Sequence, residues 1–152
     1  MKAFTDGACR RGNPGQTSCA WAIFSNDGHL GPDAACYLGP ELHSNNYAEF
    51  QGLLDLLKFA YAHSEKNLEI FCDSKLVVNT VNQAWQLKEP SLVPLRDQAY
   101  ALMIIGRHTL EHVHGHSGNP GNEYVDKLCN EVLDKETKDA EEEKQTTSQP
   151  QS

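Results

Sequence analysis

The stretch Ala3-Phe4-Thr5-Asp6-Gly7, followed by Cys9-Arg10-Arg11-Gly12-Asn13-Pro14-Gly15, decides how this sequence reads. It is a strand that carries one carboxylate and then breaks into a glycine-rich exit. Alternation along a strand sends Phe4 and Asp6 to one face and Ala3 and Thr5 to the other, and the glycines let backbone approach a neighbour closely. Taken alone, an aspartate near a turn is commonly a solvated or turn-forming residue. Asp6 gains weight from three later acids, Glu49, Asp73 and Asp126, each near the start or end of a predicted element. Four carboxylates from four separated segments are the oxygen-rich donor set that a divalent-cation site needs.

The chain has 152 residues, enough for one ordinary domain and too few for two. A 39% hydrophobic fraction suits a globular protein in water, and no apolar run approaches the roughly 18 residues that a membrane span requires. Met1-Lys2-Ala3-Phe4-Thr5-Asp6 lacks the apolar segment of a signal peptide, so a cytoplasmic location with no membrane partner is expected. Cys9, Cys19, Cys36, Cys72 and Cys129 form no CxxC pair, and their odd number argues against a complete disulfide framework. Free thiols are expected, with Cys72 a small buried strand residue. The formal net charge of -8 speaks against direct attraction to a phosphate backbone. Metal ions between carboxylates and phosphates reverse that local balance, so nucleic-acid binding by such a chain should depend on metal.

Downstream, Cys19, Trp21 and Ile23 alternate with Ala20, Ala22 and Phe24, apolar on both faces as a central strand requires. Asn26-Asp27-Gly28 signals a hairpin into a third strand from about His29 to Leu38. Ser44, Asn45 and Asn46 are candidate N-caps for a helix striped by Phe50, Leu53, Leu54, Leu57 and Tyr61, with Glu49 in its first turn. Leu68 to Cys72 reads as a short buried strand ending at Asp73, the carboxyl-end position where open α/β sheets place ligands. Ser74 starts a helix with Leu76, Val77, Val81 and Trp85; after a brief connector, Leu92, Leu95, Ala99, Leu102 and Met103 mark another, ended near Gly106. Thr109 to Val113 is the last strand. Past the Gly115 to Gly121 loop, Asn122 is the expected cap of a helix striped by Val125, Leu128, Cys129, Val132 and Leu133, with Asp126 near its start. The apolar periodicity then fades, which divides the chain into a domain over 1–135 and an acidic tail, 136–152, expected to be disordered beyond about one more helical turn.

The order is therefore β-β-β-α-β-α-α-β-α, an α/β fold with acids at its element ends. Its motifs are Thr5-Asp6-Gly7-Ala8, Asn13-Pro14-Gly15, Asn45-Asn46-Tyr47-Ala48-Glu49, Cys72-Asp73-Ser74 and Gly115-His116-Ser117-Gly118-Asn119-Pro120-Gly121-Asn122-Glu123, followed by Asp126. In these the chain resembles the type 1 ribonuclease H family over about residues 1–134. The resemblance implies a ribonuclease H-like five-stranded mixed sheet, three antiparallel strands then two parallel, flanked by helices. It implies that Asp6, Glu49, Asp73 and Asp126 hold two Mg²⁺ or Mn²⁺ ions. It further implies an endoribonuclease that cuts the RNA strand of RNA/DNA hybrids, leaving 5'-phosphate and 3'-hydroxyl ends. The physics stands apart from the name: two ions about 4 Å apart can activate water on one side of a phosphodiester and stabilise the departing oxygen on the other. Asp6, on the central strand, is the candidate to bridge both ions, with Asp73 beside it. His116 matches the family's mobile histidine, which assists proton transfer or product release.

By the same resemblance Asn13, Asn45 and Asn46 contact the minor groove and Ser44 matches a phosphate-binding hydroxyl. Amide side chains offer both the donors and the acceptors that 2'-hydroxyl recognition requires. Asn46 and Glu49 also have the spacing of a capping pair at N-cap and N3, a role compatible with substrate contact. Some family members carry a basic, tryptophan-rich protrusion near Trp85; here Gln86-Leu87-Lys88-Glu89-Pro90 is short and nearly neutral, so the chain looks like the handle-less forms. Hybrid affinity is then expected to be modest and salt-sensitive and to lean on Arg10, Arg11 and Lys75, for which solvated surface charges are the equal alternative. The run His112-Val113-His114-Gly115-His116 alternates three imidazoles, but without a Cys or carboxylate ligand motif beside it the reading is an unmetallated strand end. His114 is taken as a basic neighbour of substrate. The expected partner is an RNA/DNA hybrid, with double-stranded RNA or another nucleic acid as the alternative substrate, and the chain is expected to be a monomer. The rival from another class is a catalytically silent hybrid-binding module. It is disfavoured because a pure binder gains nothing from unpaired acids clustered beside phosphates.

Overall fold

Period-2 patterning in five segments builds one sheet: Lys2–Arg10 (β1), Gln16–Phe24 (β2), Leu30–Tyr37 (β3), Glu69–Cys72 (β4) and Thr109–His112 (β5). The structure is a computed structural model that describes residues 1–115 and 118–147. The strand order is β3-β2-β1-β4-β5, with β2 antiparallel to β1 and β3, and β4 parallel to β1 and β5. This is the mixed sheet expected from the sequence. The helices are Asn45–Ala62 (α1), Lys75–Val81 (α2), Val93–Gly106 (α3) and Pro120–Thr147 (α4).

Strand alternation divides the core in two. Ala3, Trp21, Ile23, Ile70 and Leu110 pack on one face with Phe50, Leu53 and Leu57 of α1 and with Val77 and Ala99 of α2 and α3. Phe4, Ala20 and Ala22 pack on the opposite face with Val125 and Cys129 of α4. There the Phe4 ring stacks on Phe71, with centroids 5.2 Å apart, and meets Phe24 edge-on at 5.8 Å. The start of α4 is held against this aromatic row: a Cβ on Gly121 would lie 2.3 Å from the Phe4 ring. Arg10 completes the attachment of α4, donating to Asn130 Oδ1 at 2.9 Å and pairing with Asp134. It is thus engaged in the fold rather than held out for substrate.

Several boundaries differ from the sequence reading. Ser44 is the N-cap of α1, its Oγ accepting from Tyr47 N–H at 3.0 Å. Asn46 is therefore not the cap, and Glu49 sits one turn deeper than the first turn. Tyr61 falls off the buried stripe and is 64% exposed. Helix α2 stops at Val81 because Gln83 turns into the left-handed region (φ 62°), which leaves Trp85 exposed instead of on the helix face. A single 3-10 turn, Pro90–Leu92, then leads into α3. Asn119, not Asn122, caps α4: its Oδ1 accepts from Gly121 and Asn122 N–H at 3.0 and 3.2 Å. The same helix continues through Thr147, further than the one additional turn past 135 read from the sequence. The tail is rich in Glu, Lys and Gln, which sustain a helix after its apolar stripe has ended.

Helix α1 rests directly on β1, because an added Cβ at Gly7 would lie 2.4 Å from the Ala48 carbonyl carbon. Neither partner is a flexible side chain, so Gly7→Ala must push helix and strand apart. Urea unfolding should show Gly7→Ala losing about 3 kcal/mol of stability.

Candidate active site

Each acid is delivered by a separate element. Asp6 lies in β1, paired with Ala20 of β2 and flanked on its other side by β4. Glu49 projects from α1, Asp73 follows the last residue of β4, and Asp126 belongs to α4. The close passage of α1 over β1 lets the Gly7 N–H donate to both Asp6 Oδ1 (2.9 Å) and Glu49 Oε1 (3.2 Å). The charges of Glu49 and Asp73 both act on the Asp6 carboxyl. Cys72 Sγ lies 3.6 Å from Glu49 Oε2, and ligand atoms of Glu49, Cys72 and Asp73 all fall within 4.8 Å of one another. The charge of Asp126 acts on both Asp6 and Asp73. The four acids predicted from sequence are therefore brought together.

Two contacts escaped the sequence reading. Gly7 is more than a permissive turn residue, since its amide ties two carboxyls; the Thr-Asp-Gly triplet was the available signal. Gly115 faces Asp73, and a Cβ there would come within 3.2 Å of Asp73 Oδ2. His112 supports the same segment, its Nε2 lying 3.2 Å from the Asp73 carbonyl oxygen.

Crowding and burial set the electrostatics. Burial, then the charges of Glu49 and Asp73, push the Asp6 carboxyl up to about 11. Burial and the Asp73 charge raise Glu49 to about 8, against the pull of hydrogen bonds from Asp6 and Gly7. Asp73 is raised by its own burial and by Asp126. Among the described residues no Lys or Arg forms an ion pair with any of the four. A cluster of carboxylate oxygens of this kind fits hard divalent ions such as Mg²⁺ and Mn²⁺.

The predicted substrate residues divide by location. Asn13 Oδ1 accepts from Asn45 N–H at 2.9 Å, and Gly15 pairs with His43, so Asn13, Ser44, Asn45 and Asn46 share one ridge. Ser44 and Asn46 line an open groove of about 710 Å³ with Pro14, Tyr47, Leu76 and Lys88. Lys75 is exposed at the first residue of α2. His114 is exposed and its ring meets His112 edge-on at 5.1 Å. His116 lies outside the described residues.

The raised carboxyls fix a pH dependence. A carboxyl protonated in the fold and ionised in the unfolded chain contributes stability that is full below the ordinary carboxyl range and lost as pH rises toward its folded value. In EDTA the thermal midpoint should therefore fall between about pH 5 and about pH 8. Asp6→Asn removes the most strongly raised carboxyl and should raise stability at the upper pH by on the order of 1 kcal/mol. Circular-dichroism melts at both pH values check the pair.

Comparison with known proteins agrees with this fold. Residues 1–134 match the family model for RNase H. The chain is 32% identical over 135 residues to Ribonuclease HI of Halobacterium salinarum, covering 88% of this chain and 64% of that protein, so it spans just under two-thirds of that relative's length. It is 33% identical over 143 residues to Ribonuclease H of Francisella tularensis subsp. novicida, covering 86% and 89% of the two. The crystal structure of RNase H1 from Halobacterium salinarum NRC-1 superposes with a TM-score of 0.78 over 88% of this chain and 97% of that one, at 32% identity. LC11-RNase H1, solved in complex with RNA/DNA hybrid, shares the fold at 24% identity, with a TM-score of 0.78 over 90% and 98% of the two chains. With its family match running from the first residue into the helix that carries Asp126, the chain belongs to the RNase H family.

Proposed function

We propose that this chain is an endoribonuclease that hydrolyses the RNA strand of RNA/DNA hybrids, with Asp6, Glu49, Asp73 and Asp126 holding two Mg²⁺ or Mn²⁺ ions. The observation that carries the reading is the convergence of these acids, without a Lys or Arg partner among the described residues, in a family that depends on divalent metal. Cations held there would supply water activation on one side of a phosphodiester and charge neutralisation of the departing oxygen on the other, and 5'-phosphate and 3'-hydroxyl ends would result.

The chain's own residues supply position and proton control. Gly7 N–H holds Asp6 and Glu49 side by side, the arrangement in which both carboxylates would serve as ligands to a divalent cation. The Ser44 Oγ accepts a backbone N–H as helix cap, which leaves its own proton free to donate to a phosphate oxygen. Asn13, Asn45 and Asn46 on the same ridge offer amide donors and acceptors to 2'-hydroxyls and base edges. Lys75, which is exposed, adds positive charge near the strand being cut, His114, also exposed, is a neighbour of the substrate, and His116 takes the proton-transfer or product-release role. The groove beside Ser44 and Asn46 gives the hybrid a track beyond the cleavage point.

Labelled RNA/DNA hybrid, RNA duplex and single-stranded RNA, each incubated with Mg²⁺, with Mn²⁺ or with EDTA, test this reading. Hybrid should be cut at internal sites, and EDTA should abolish cleavage. Asp73→Asn should lower the rate about a thousandfold, the several kcal/mol that metal-assisted charge stabilisation supplies. Cleavage unaffected by EDTA would refute the metal-dependent reading, and tight hybrid binding without cleavage would mark a silent binding module.

A further inference from the structure

A second cluster of ligand-bearing side chains lies outside the four acids. Cys19 of β2 and Cys36 of β3 face each other directly in the antiparallel ladder, and their sulfurs are 3.7 Å apart. Asp55 of α1 reaches the pair: its Oδ2 is 3.4 Å from Cys19 Sγ and 4.0 Å from Cys36 Sγ. The other oxygen of Asp55 accepts from Gln51 Nε2 at 2.8 Å, which fixes the carboxylate with Oδ2 turned toward the sulfurs. Cys36 is exposed, so the cluster opens to solvent on one side.

We propose that Cys19, Cys36 and Asp55 form a binding site for a thiophilic divalent cation, zinc foremost, using none of the four catalytic carboxylates. The argument is metric. Tetrahedral zinc, with Zn–S of about 2.3 Å and Zn–O of about 2.1 Å, has S···S edges of about 3.8 Å and S···O edges of about 3.6 Å. The observed triangle of 3.7, 3.4 and 4.0 Å is one face of that tetrahedron. The fourth position falls to water on the side of Cys36. Gln51 acts as a positioning residue, orienting a ligand as outer-shell partners of metal sites do. Cys19 and Cys36 would bind as thiolates, the form that a metal requires. Binding releases the thiol protons to solvent, and the two thiolates and one carboxylate leave a single net negative charge once the divalent cation is in place.

The test is a Co²⁺ titration of the reduced, metal-stripped full chain, with Mg²⁺ in excess to compete for oxygen-only sites. The expected result is one equivalent of tetrahedral cobalt with a thiolate-to-metal charge-transfer band, released protons, and displacement by Zn²⁺. Cys36→Ser, at an exposed position, should lose at least half of that band while hybrid cleavage in Mg²⁺ is unchanged. Gln51→Ala should keep the band but weaken cobalt binding about tenfold. An octahedral spectrum without thiolate absorption overturns the site, as does a band unchanged in Cys36→Ser. So does a cysteine pair that oxidises to a disulfide in air while the reduced protein binds no cobalt.

Discussion

The backbone contact between Gly7 on β1 and the Ala48–Glu49 peptide of α1 is the constraint on which the rest of the molecule depends. Without a side chain at Gly7, the helix settles on the strand and one amide reaches two carboxyls. That closeness is electrostatically unfavourable, since like charges are gathered where water is scarce. The opposing term is the apolar face of the same helix. Phe50, Leu53, Leu54, Leu56 and Leu57 are fully buried, each contributing about 2 kcal/mol of hydrophobic stabilisation. One helix therefore both delivers Glu49 to the cluster and holds it there against repulsion. On the opposite face of the sheet, Gly121 against the Phe4 ring and the Arg10 contacts seat α4, which sets where Asp126 lies.

Much of this was legible because its signals are local. The two-sided apolar pattern of β2 marked a strand flanked on both sides, and Ser74 after Asp73 marked both the end of a strand and the cap of the next helix. The acids themselves were recognisable from their places at element ends. What stayed hidden was decided by contacts between distant residues. Three consecutive cap-capable residues, Ser44, Asn45 and Asn46, compete at the start of α1, and the fold resolves them by giving the Asn45 N–H to Asn13 and the Tyr47 N–H to Ser44. Trp85 continues a helical stripe on paper, but the positive φ at Gln83 turns the chain away first. The helical tail shows intrinsic propensity outlasting amphipathicity, which a reading based on apolar period alone does not register. The thiol pair had no spacing signature because only the β2–β3 register brings Cys19 opposite Cys36.

Two donor sets of different character thus share the support of α1. Glu49 serves a cluster of carboxyls suited to hard cations, with the single buried Cys72 thiol at its side, and Asp55, further along the same helix, meets two sulfurs suited to softer ones. The number of sulfurs distinguishes them: Mg²⁺ has little affinity for thiolates, and zinc is drawn to the site that offers two.

The central claim is that Asp6, Glu49, Asp73 and Asp126 form a single cradle for divalent cations. Paramagnetic broadening by substoichiometric Mn²⁺ in an amide-resolved NMR spectrum tests it most directly. The account predicts that the signals of Gly7, Glu49, Ser74 and Asp126 fade together, while those of residues remote from the four acids persist. Broadening confined to one of these elements, or centred elsewhere on the surface, would contradict it.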